Sequence, residues 1–292
     1  MDFVTLDTVV TEFSINRIKL ENSNIYFNDI YSQRVFKTSL LKDSIDVLLD
    51  PGKGPGPSEI SFCEDFYIDD NEVAVVDRDQ NSLKTFDKNS TLARYQKLQN
   101  VDRAISLDNN KFVFINSSEV NGIDFSCFDL YDSTFVFRDK DIAGLGNIEN
   151  GQLLHDGFFA TNGKVIIFAS YQANYFYAID VAGKLLFKAN YIYNTPAGVV
   201  TKIDNMSFVE NGTITLSDLY VDEHIYVMTT FRKKSLNNRK VIDVYNLDNG
   251  KYKFSCVAPK YKGEDPEYFS ISDGKALFVY EGDILITGIN EM

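Results

Sequence analysis

Residues 60–97 read ISFCEDFYIDDNEVAVVDRDQNSLKTFDKNSTLARYQK, and this stretch decides the fold. It contains four segments rich in apolar and β-branched residues, 60–68, 72–76, 82–86 and 92–97, which are separated by turns rich in Asp and Asn. Short segments of this kind predict β-strands, and Asp and Asn are typical of tight turns because they tolerate positive φ. The stretch therefore predicts one four-stranded antiparallel sheet.

The same pattern of a polar turn followed by a short apolar strand recurs along the chain. The six turns lie at residues 21–24, 69–71, 108–110, 161–163, 222–223 and 272–274. Their mean period of about 50 residues lies in the range of β-propeller blades. No segment shows sustained apolar spacing at i, i+3, i+4 and i+7, so we expect almost no helix. The sequence predicts an all-β, six-bladed β-propeller of four-stranded blades that forms a single domain over residues 1–292.

The last predicted blade lacks a strand of its own. It offers strands at 268–271, 275–279 and 283–289, after which the chain ends at Met292. Residues 3–10 form a spare β segment that precedes the first blade. Pairing this segment with the last blade would remove two open sheet edges, which are aggregation hazards. We therefore predict that the N-terminal strand closes the last blade.

The composition excludes some classes of partner. The chain carries 29 Lys and Arg residues against 42 Asp and Glu residues, for a net charge of −13. Nucleic-acid binders need a basic surface, so we predict no nucleic-acid partner. The longest apolar runs hold about five residues, far short of the ~20 that a membrane-spanning helix needs. We predict no membrane span.

The cysteines and the N-terminus bear on location. Cys63, Cys127 and Cys256 lie far apart, which indicates buried free thiols rather than a disulfide framework or a metal knuckle. Residues 1–5 lack the basic region and the apolar core of a signal peptide. We expect a periplasmic or cell-surface protein if a signal peptide has been removed, and a cytoplasmic protein otherwise.

A second repeat lies in the linkers and resembles a known family. The linkers read GKGPGPSEI at 52–60 and GEDPEYF at 263–269, and residues 77–87 read DRDQNSLKTFD. These segments resemble the six-bladed propellers of the NHL and TolB-like groups, above all bacterial envelope members with a Gly-x-Gly-Pro-x-Glu-Phe linker. Ile60 replaces the usual Phe. The resemblance implies the propeller architecture and an envelope lipoprotein with a removed signal, and it implies no chemistry.

The usual catalytic and cofactor motifs are missing from the sequence. Pro55 and Pro57 prevent the helix start that a phosphate-binding loop needs after its glycines. No His-x-x-x-His pair and no Gly-x-Ser-x-Gly elbow exists, so zinc hydrolysis and serine nucleophiles lack their parts. Calcium ligands are conceivable at 77–79 or 69–71, but turn formation explains both runs. We predict no cofactor and no metal.

Two features on the predicted linker face interrupt the repeat. His155 stands beside Asp156 and could form an acid–base pair, although we favour a structural or merely exposed histidine. A basic loop, RKKSLNNRK at 232–240, could dock an acidic partner or simply be a solvated loop. The candidate binding residues on this face are Lys53, Glu59, Arg78, Arg103, His155, Tyr171, Arg232 and Glu267.

The sequence favours a non-catalytic binding or scaffolding propeller. Its partner would be a protein, a small molecule or a glycan on the linker face, where propellers present a concave polar channel mouth. The alternative is an enzyme, a hydrolase or lyase that uses carboxylates and His155 at the central channel. A third possibility is a structural domain of a larger envelope assembly, which an apolar outer rim would indicate.

Overall fold

The computed structural model describes most of the chain. The described residues are 1–21, 23–40, 42–69, 71–107, 111–118, 122–138, 157–171, 174–193, 199–203, 206–210, 216–233, 239–272 and 274–290. Within these ranges the regular structure is β-strand without α-helix. Consequently the described residues contain no helix of the length and apolarity that crossing a membrane requires.

Strands follow one another closely along the described chain. They are β1 (Asp2–Val10), β2 (Ile15–Glu21), β3 (Asn24–Asp29), β4 (Val35–Ser39), β5 (Lys42–Leu49), β6 (Cys63–Ile68), β7 (Glu72–Asp77), β8 (Ser82–Asp87), β9 (Leu92–Lys97), β10 (Val101–Leu107), β11 (Lys111–Ser118), β12 (Gly122–Asp129), β13 (Thr134–Arg138), β14 (Gly157–Thr161), β15 (Val165–Ser170), β16 (Phe176–Asp180), β17 (Leu185–Ala189), β18 (Val199–Ile203), β19 (Met206–Glu210), β20 (Leu216–Val221), β21 (His224–Lys233), β22 (Arg239–Asn246), β23 (Tyr252–Val257), β24 (Tyr268–Ser272), β25 (Lys275–Tyr280) and β26 (Asp283–Asn290).

These strands build six four-stranded blades. The sheet orders are β2-β3-β4-β5, β6-β7-β8-β9, β10-β11-β12-β13, β14-β15-β16-β17, β20-β21-β22-β23 and β1-β26-β25-β24. The pairs are antiparallel meanders, as the hairpin pattern of the sequence requires. This confirms the predicted all-β, six-bladed β-propeller fold.

Asp and Asn side chains close the hairpins in the way the sequence predicts. Asp69 Oδ1 accepts the backbone N–H groups of Asn71 and Glu72, each at 2.7 Å. Asp87 Oδ1 does the same for Asn89 and Thr91 at 2.9 Å. These contacts satisfy backbone donors that the turn removes from the sheet ladder.

The N-terminal strand completes the last blade. β1 pairs with β26 in an antiparallel register from Asp2↔Asn290 to Val10↔Asp283, with a bulge between Thr5 and Asp7. Phe3 packs edge-on against Phe278, with ring centroids 4.9 Å apart. The predicted closure of this blade is confirmed.

The chain divides into two compact units. The first unit comprises residues 1–106 and 261–292, and the second comprises residues 107–260. Each unit has apolar cores between neighbouring blades, because each sheet buries residues of both faces. In the first unit, buried core residues include Ile25, Phe27, Leu277, Ile284, Ile60, Phe66 and Val75. In the second unit they include Ile167, Phe176, Ile225, Val227 and Tyr245.

The single-domain organisation over 1–292 stays a prediction.

The second blade begins later than the sequence predicts. We expected its first strand over 60–68, but β6 begins at Cys63. Ile60 instead forms a parallel bridge with Lys53 in the linker. The backbone N–H groups of Ser61 and Phe62 donate to the carboxylate of Asp77 at 3.0 and 3.1 Å, so they do not join the ladder.

Two further elements of the second unit differ from expectation. The hairpin β18–β19 is an addition to the blade repeat that the sequence pattern did not predict. β21 and β22 extend into the predicted basic loop 232–240, with Lys233 paired to Arg239. Residues 234–238 of that loop lie outside the described residues.

Candidate functional site

Charged side chains interrupt the first strands of three successive blades. Arg17 lies on β2, Glu64 on β6 and Arg103 on β10. Arg78 lies in the turn between β7 and β8. All four residues belong to the first unit, and we call them the arginine cluster.

The three guanidinium groups of the arginine cluster converge on one carboxylate. Glu64 Oε1 lies 3.0 Å from Arg17 Nη2 and 3.8 Å from Arg103 Nη1. Glu64 Oε2 lies 3.5 Å from Arg78 Nη1. The Glu64 side chain is 2% exposed, whereas those of Arg17, Arg78 and Arg103 are 18%, 33% and 29% exposed. A buried anion therefore anchors three cations that reach solvent.

Backbone bulges help to place this carboxylate. The pairing of β6 with β7 shifts register between Cys63 and Asp65, at Glu64. The pairing of β2 with β3 shifts in the same way between Ile15 and Arg17. A bulge bends its strand and redirects the side chain next to it. Each bulge therefore lies at or next to a residue of the cluster, namely Glu64 on β6 and Arg17 on β2.

Amide side chains fix the backbone beside Glu64. The carbonyl oxygen of Cys63 accepts hydrogen bonds from Asn16 Nδ2 at 2.9 Å and Asn28 Nδ2 at 3.3 Å. The backbone N–H of Cys63 donates to Gln33 Oε1 at 2.6 Å. Arg17 Nε also donates to the Glu64 carbonyl oxygen at 3.0 Å. The first blade thus holds the bulge of the second blade in place.

An aromatic ring supports the third guanidinium. The guanidinium carbon of Arg78 lies 4.0 Å from the centroid of the Phe62 ring, a cation–π contact. The backbone N–H of Arg78 donates to the Phe62 carbonyl oxygen at 3.0 Å. The exposed carboxylate of Asp79 lies 3.5 Å from Arg78 Nε. Arg78 is therefore oriented by its own turn as well as by Glu64.

A second ion pair lies next to the cluster and is balanced in charge. Lys19 Nζ on β2 lies 3.2 Å from Asp65 Oδ1 on β6. Lys19 Nζ also donates to the Phe66 carbonyl oxygen and to Ser106 Oγ. The backbone N–H of Ser106 donates to Asp65 Oδ2 at 2.6 Å. This pair links the first strands of the same three blades without adding net charge.

The position of Glu64 alters its titration. Burial raises the pKa of the Glu64 carboxyl above its ordinary value of 4.5, and this is the dominant effect. The guanidinium groups of Arg17, Arg103 and Arg78 lower the pKa, and Asp65 raises it further. The ionised carboxylate is therefore less stable here than in water, in spite of its three cationic neighbours.

Replacing Glu64 by glutamine tests this shift through stability. A carboxyl whose pKa is raised on folding contributes stability that is fully present below its unfolded pKa, near 4.5, and is lost as pH rises through the folded-state pKa. Glutamine stays neutral. The melting temperature of Glu64→Gln relative to wild type should therefore increase as the pH rises above about 4.5. Thermal denaturation of both proteins across this range measures it. A relative melting temperature that falls as pH rises would contradict the shift.

The cysteines and carboxylates offer no metal centre in the described part of the chain. No group of three His, Cys, Asp or Glu residues within it could hold a metal ion. Cys63, Cys127 and Cys256 are free and buried. Burial raises the pKa of Cys127 to about 12 and that of Cys63 well above its ordinary value. Such thiols are poor nucleophiles at neutral pH.

Two of the residues predicted from the sequence, Arg78 and Arg103, come together in the arginine cluster. Glu59 instead supports the linker: its Oε2 accepts the Gly56 N–H at 2.8 Å, and a Cβ at Gly56 would lie 2.7 Å from that oxygen. Lys53 is exposed, and its Nζ donates to the Tyr31 carbonyl oxygen at 3.1 Å.

The other predicted residues are not members of the cluster, and two of them fall outside what the structure describes. Glu267 is exposed, and its backbone N–H donates to the Val279 carbonyl oxygen at 2.8 Å. Tyr171 belongs to the second unit and packs edge-on against Phe158 at 4.9 Å. His155 lies outside the described residues. Arg232 lies on β21, and its side chain is outside them as well.

Sequence reasoning missed Arg17 and Glu64. A signal for both exists in the sequence, because adjacent polar residues interrupt otherwise apolar first strands at Asn16–Arg17 and at Glu64–Asp65. Asp102–Arg103 repeats the interruption in the third blade. Comparison of the first strands at equivalent positions would have placed the three charged residues together.

The fold has relatives among solved structures. A putative exported protein from Bacteroides fragilis is 13% identical, with a TM-score of 0.60 over 99% of this chain and 95% of that one. A DUF4221 family member from Bacteroides vulgatus is 10% identical, with a TM-score of 0.60 over 98% and 97%. Virginiamycin B lyase from Staphylococcus aureus is 13% identical, with a TM-score of 0.56 over 99% and 100%.

At these identities the similarity shows the fold alone. No protein-family model matches the chain, and no curated protein matches it. The fold is thus shared with a putative exported protein and with a DUF4221 family member. The narrower NHL or TolB-like type stays a prediction from the linker motifs.

Proposed function

We propose that the protein is a non-catalytic binding module whose ligand binds at the arginine cluster. The observation that supports this most is the convergence of Arg17, Arg78 and Arg103, from three blades, on one buried carboxylate. The protein as a whole has a net charge of −13. These cations are partly exposed, and buried contacts hold them in place. Side chains that are preorganised in this way can bind a ligand specifically.

The chemistry of the cluster favours binding over catalysis. A general acid or base must reach a substrate proton at about 2.6–3.2 Å. Glu64 is 2% exposed, and its carboxylate is already in contact with three guanidinium groups. His224 belongs to the second unit, where it is half-buried and its Nε2 lies 2.7 Å from Lys253 Nζ.

An enzyme remains the alternative proposal. It would be a lyase or hydrolase that uses carboxylates and His155. The fold similarity to virginiamycin B lyase gives this alternative its support, at 13% identity. A titration of His155 near neutral pH that changes with added substrate would favour it.

We propose a bacterial envelope location for this binding module. The similarity to a putative exported protein supports this, as does the resemblance of the linkers to those of envelope propellers. The ligand would then be a protein, a small molecule or a glycan of that compartment. Fractionation of the source cell, followed by detection of the protein in the periplasmic or surface fraction, tests the location.

A thermal-shift screen tests the binding proposal. The purified protein is screened against metals, glycans, peptides and metabolites, because a ligand that binds only the native state stabilises it by about 2.7 kcal/mol at 100 times its Kd. The matched variants are Arg103→Gln in the cluster and Arg34→Gln outside it. Arg34 forms an exposed pair with Asp50, in which the side chains are 44% and 42% exposed.

At least one ligand should raise the melting temperature of wild type and of Arg34→Gln. The same ligand should give a much smaller shift with Arg103→Gln. A screen without any shift, or shifts that are equal in the two variants, would contradict binding at the cluster.

A further inference from the structure

The guanidinium group of Arg78 keeps hydrogen-bonding capacity that its neighbours do not use. It carries N–H donors on each of its nitrogens. Nη1 reaches Glu64 Oε2 and Nε reaches Asp79 Oδ1, each at 3.5 Å, and the described residues offer no acceptor to Nη2. Both distances exceed the about 2.7–3.2 Å of an ordinary N–H···O bond. Because the side chain is 33% exposed, a ligand can reach these donors.

The plane of the same guanidinium group is fixed against an aromatic ring. The central carbon of Arg78 lies 4.0 Å from the centroid of the Phe62 ring. In an edge-on contact the nitrogen atoms would stand between this carbon and the ring and hold them farther apart. The short distance therefore indicates that the guanidinium plane lies parallel to the ring, with one of its faces covered by Phe62.

The segments that carry Arg78 and Phe62 are also tied to one another. The backbone N–H of Arg78 donates to the Phe62 carbonyl oxygen at 3.0 Å, and the Asp77 carboxylate accepts the backbone N–H of Phe62 at 3.1 Å. Gln80 Nε2 donates to the Gly54 carbonyl oxygen at 2.9 Å. These bonds join the turn after β7 to the linker before β6. A ligand that binds there has few side chains left to order, which favours affinity.

The second face of the guanidinium plane suits another aromatic ring. Arginine packs on aromatic faces because its charge is delocalised and weakly hydrated, and the plane offers such a face on both sides. Within the described part of the chain, Phe62 is the only ring that contacts Arg78. The N–H groups point outward from the edge of the plane, where they would meet an acceptor that lies beside the incoming ring.

We infer that the ligand of the arginine cluster is a peptide segment with an aromatic residue, whose ring packs on the second face of Arg78. This inference rests on the proposed binding function and names the chemical class of its ligand. An aromatic residue offers a ring and, next to it, a backbone carbonyl oxygen that can accept from the Arg78 N–H groups. The plane and the donors of Arg78 make this contact, whatever the net charge of the cluster. Arginine and aromatic side chains are also the pairs that contribute most at protein interfaces.

Fluorescence titration with defined peptides tests the inference. The chain contains no tryptophan, so a tryptophan probe can be observed alone. The probe is the end-blocked, uncharged peptide Gly-Gly-Trp-Gly-Gly. Two competitors carry phenylalanine or leucine in place of its tryptophan, and the leucine peptide supplies the same backbone without a ring.

Three variants accompany wild type in the titration. Arg78→Lys keeps the positive charge and loses the plane, and Phe62→Leu keeps an apolar side chain and loses the supporting ring. Arg34→Lys makes the same arginine-to-lysine change at the exposed pair with Asp50, where the side chains are 44% and 42% exposed. Thermal denaturation of each variant shows that it is folded.

We expect the tryptophan peptide to bind wild type and Arg34→Lys with the same dissociation constant. Arg78→Lys should bind it about fivefold more weakly, the loss expected for one partly exposed cation–π contact. Phe62→Leu should weaken binding as well, because the guanidinium plane loses its support. The phenylalanine peptide should displace the probe, and the leucine peptide should not.

The opposite results separate this inference from the binding proposal. Equal binding to wild type and Arg78→Lys, equal displacement by the leucine and phenylalanine peptides, or no binding at millimolar concentration would each overturn the aromatic ligand. In these cases a ligand of the thermal-shift screen that loses its shift in Arg103→Gln would leave the binding function intact. Failure of every ligand at the cluster would reject both.

Discussion

Replacing Asp77 by alanine should lower the free energy of unfolding by about 3–5 kcal/mol, the usual cost of leaving one partner of a buried ion pair alone. Asp77 and Lys84 are both 0% exposed, with Oδ2 and Nζ 2.9 Å apart. The same carboxylate accepts the backbone N–H groups of Ser61, Phe62 and Gln80 at 3.0, 3.1 and 3.3 Å. Its removal takes the counter-charge from a buried ammonium group, which keeps the Glu59 carbonyl oxygen as an acceptor, and takes the acceptor from three backbone N–H groups.

Urea denaturation of wild type and the Asp77→Ala variant measures this loss. Asp50→Ala is the control, because its pair with Arg34 is more than 40% exposed on both sides and should contribute about 1 kcal/mol or less. The double variant Asp77→Asn with Lys84→Met should lose less than the sum of the two single changes, since it removes both charges together. A loss for Asp77→Ala as small as that of Asp50→Ala would contradict the buried-pair account.

Deleting residues 1–10 should lower the free energy of unfolding by about 5 kcal/mol, from the loss of several ladder hydrogen bonds at about 1 kcal/mol each. β1 pairs with β26 from Asp2↔Asn290 to Val10↔Asp283. Phe278 would lose its contact with Phe3, and β26 would become an open edge. Open edges pair with other chains, so the variant should also form oligomers or aggregates.

Size-exclusion chromatography with light scattering, together with urea denaturation, measures both effects of the deletion. Leu6→Ser is the control, because Leu6 lies on the same strand but is 57% exposed. That variant should stay within about 0.5 kcal/mol of wild type, as surface substitutions usually do. A deleted protein with the same oligomeric state and stability as Leu6→Ser would show that β1 is dispensable.

Local sequence signals predict much of the fold. The turn at Asp69 and the turn at Asp87 were placed correctly because each side chain caps its own turn, an interaction within four residues. The closure by β1 was predictable from a missing strand at one end of the chain and a spare one at the other. The hairpin β18–β19 was missed because it stands outside the repeat, so the period gives no information about it.

The arginine cluster was only half predictable. Arg78 and Arg103 were chosen for their place in the repeat, whereas Arg17 and Glu64 meet across 47 residues of sequence. Their contact depends on two bulges, and a bulge shifts which side chain faces which neighbour. The alternation of residues along a strand does not reveal such a shift. The linker at 52–60, in contrast, is held by local contacts, since Gly54 and Gly56 both form backbone hydrogen bonds within it.

Nuclear magnetic resonance of the arginine Nε–Hε groups tests most directly whether the ligand binds at the arginine cluster. The resonances of Arg17, Arg78 and Arg103 are assigned by single glutamine variants, and the ligand that gives the largest thermal shift in the screen is then titrated into the wild-type protein. We predict that these three resonances shift together with one dissociation constant, while that of Arg34 stays in place. Ligand binding that shifts the resonances of other arginines and leaves these three unchanged would contradict the account.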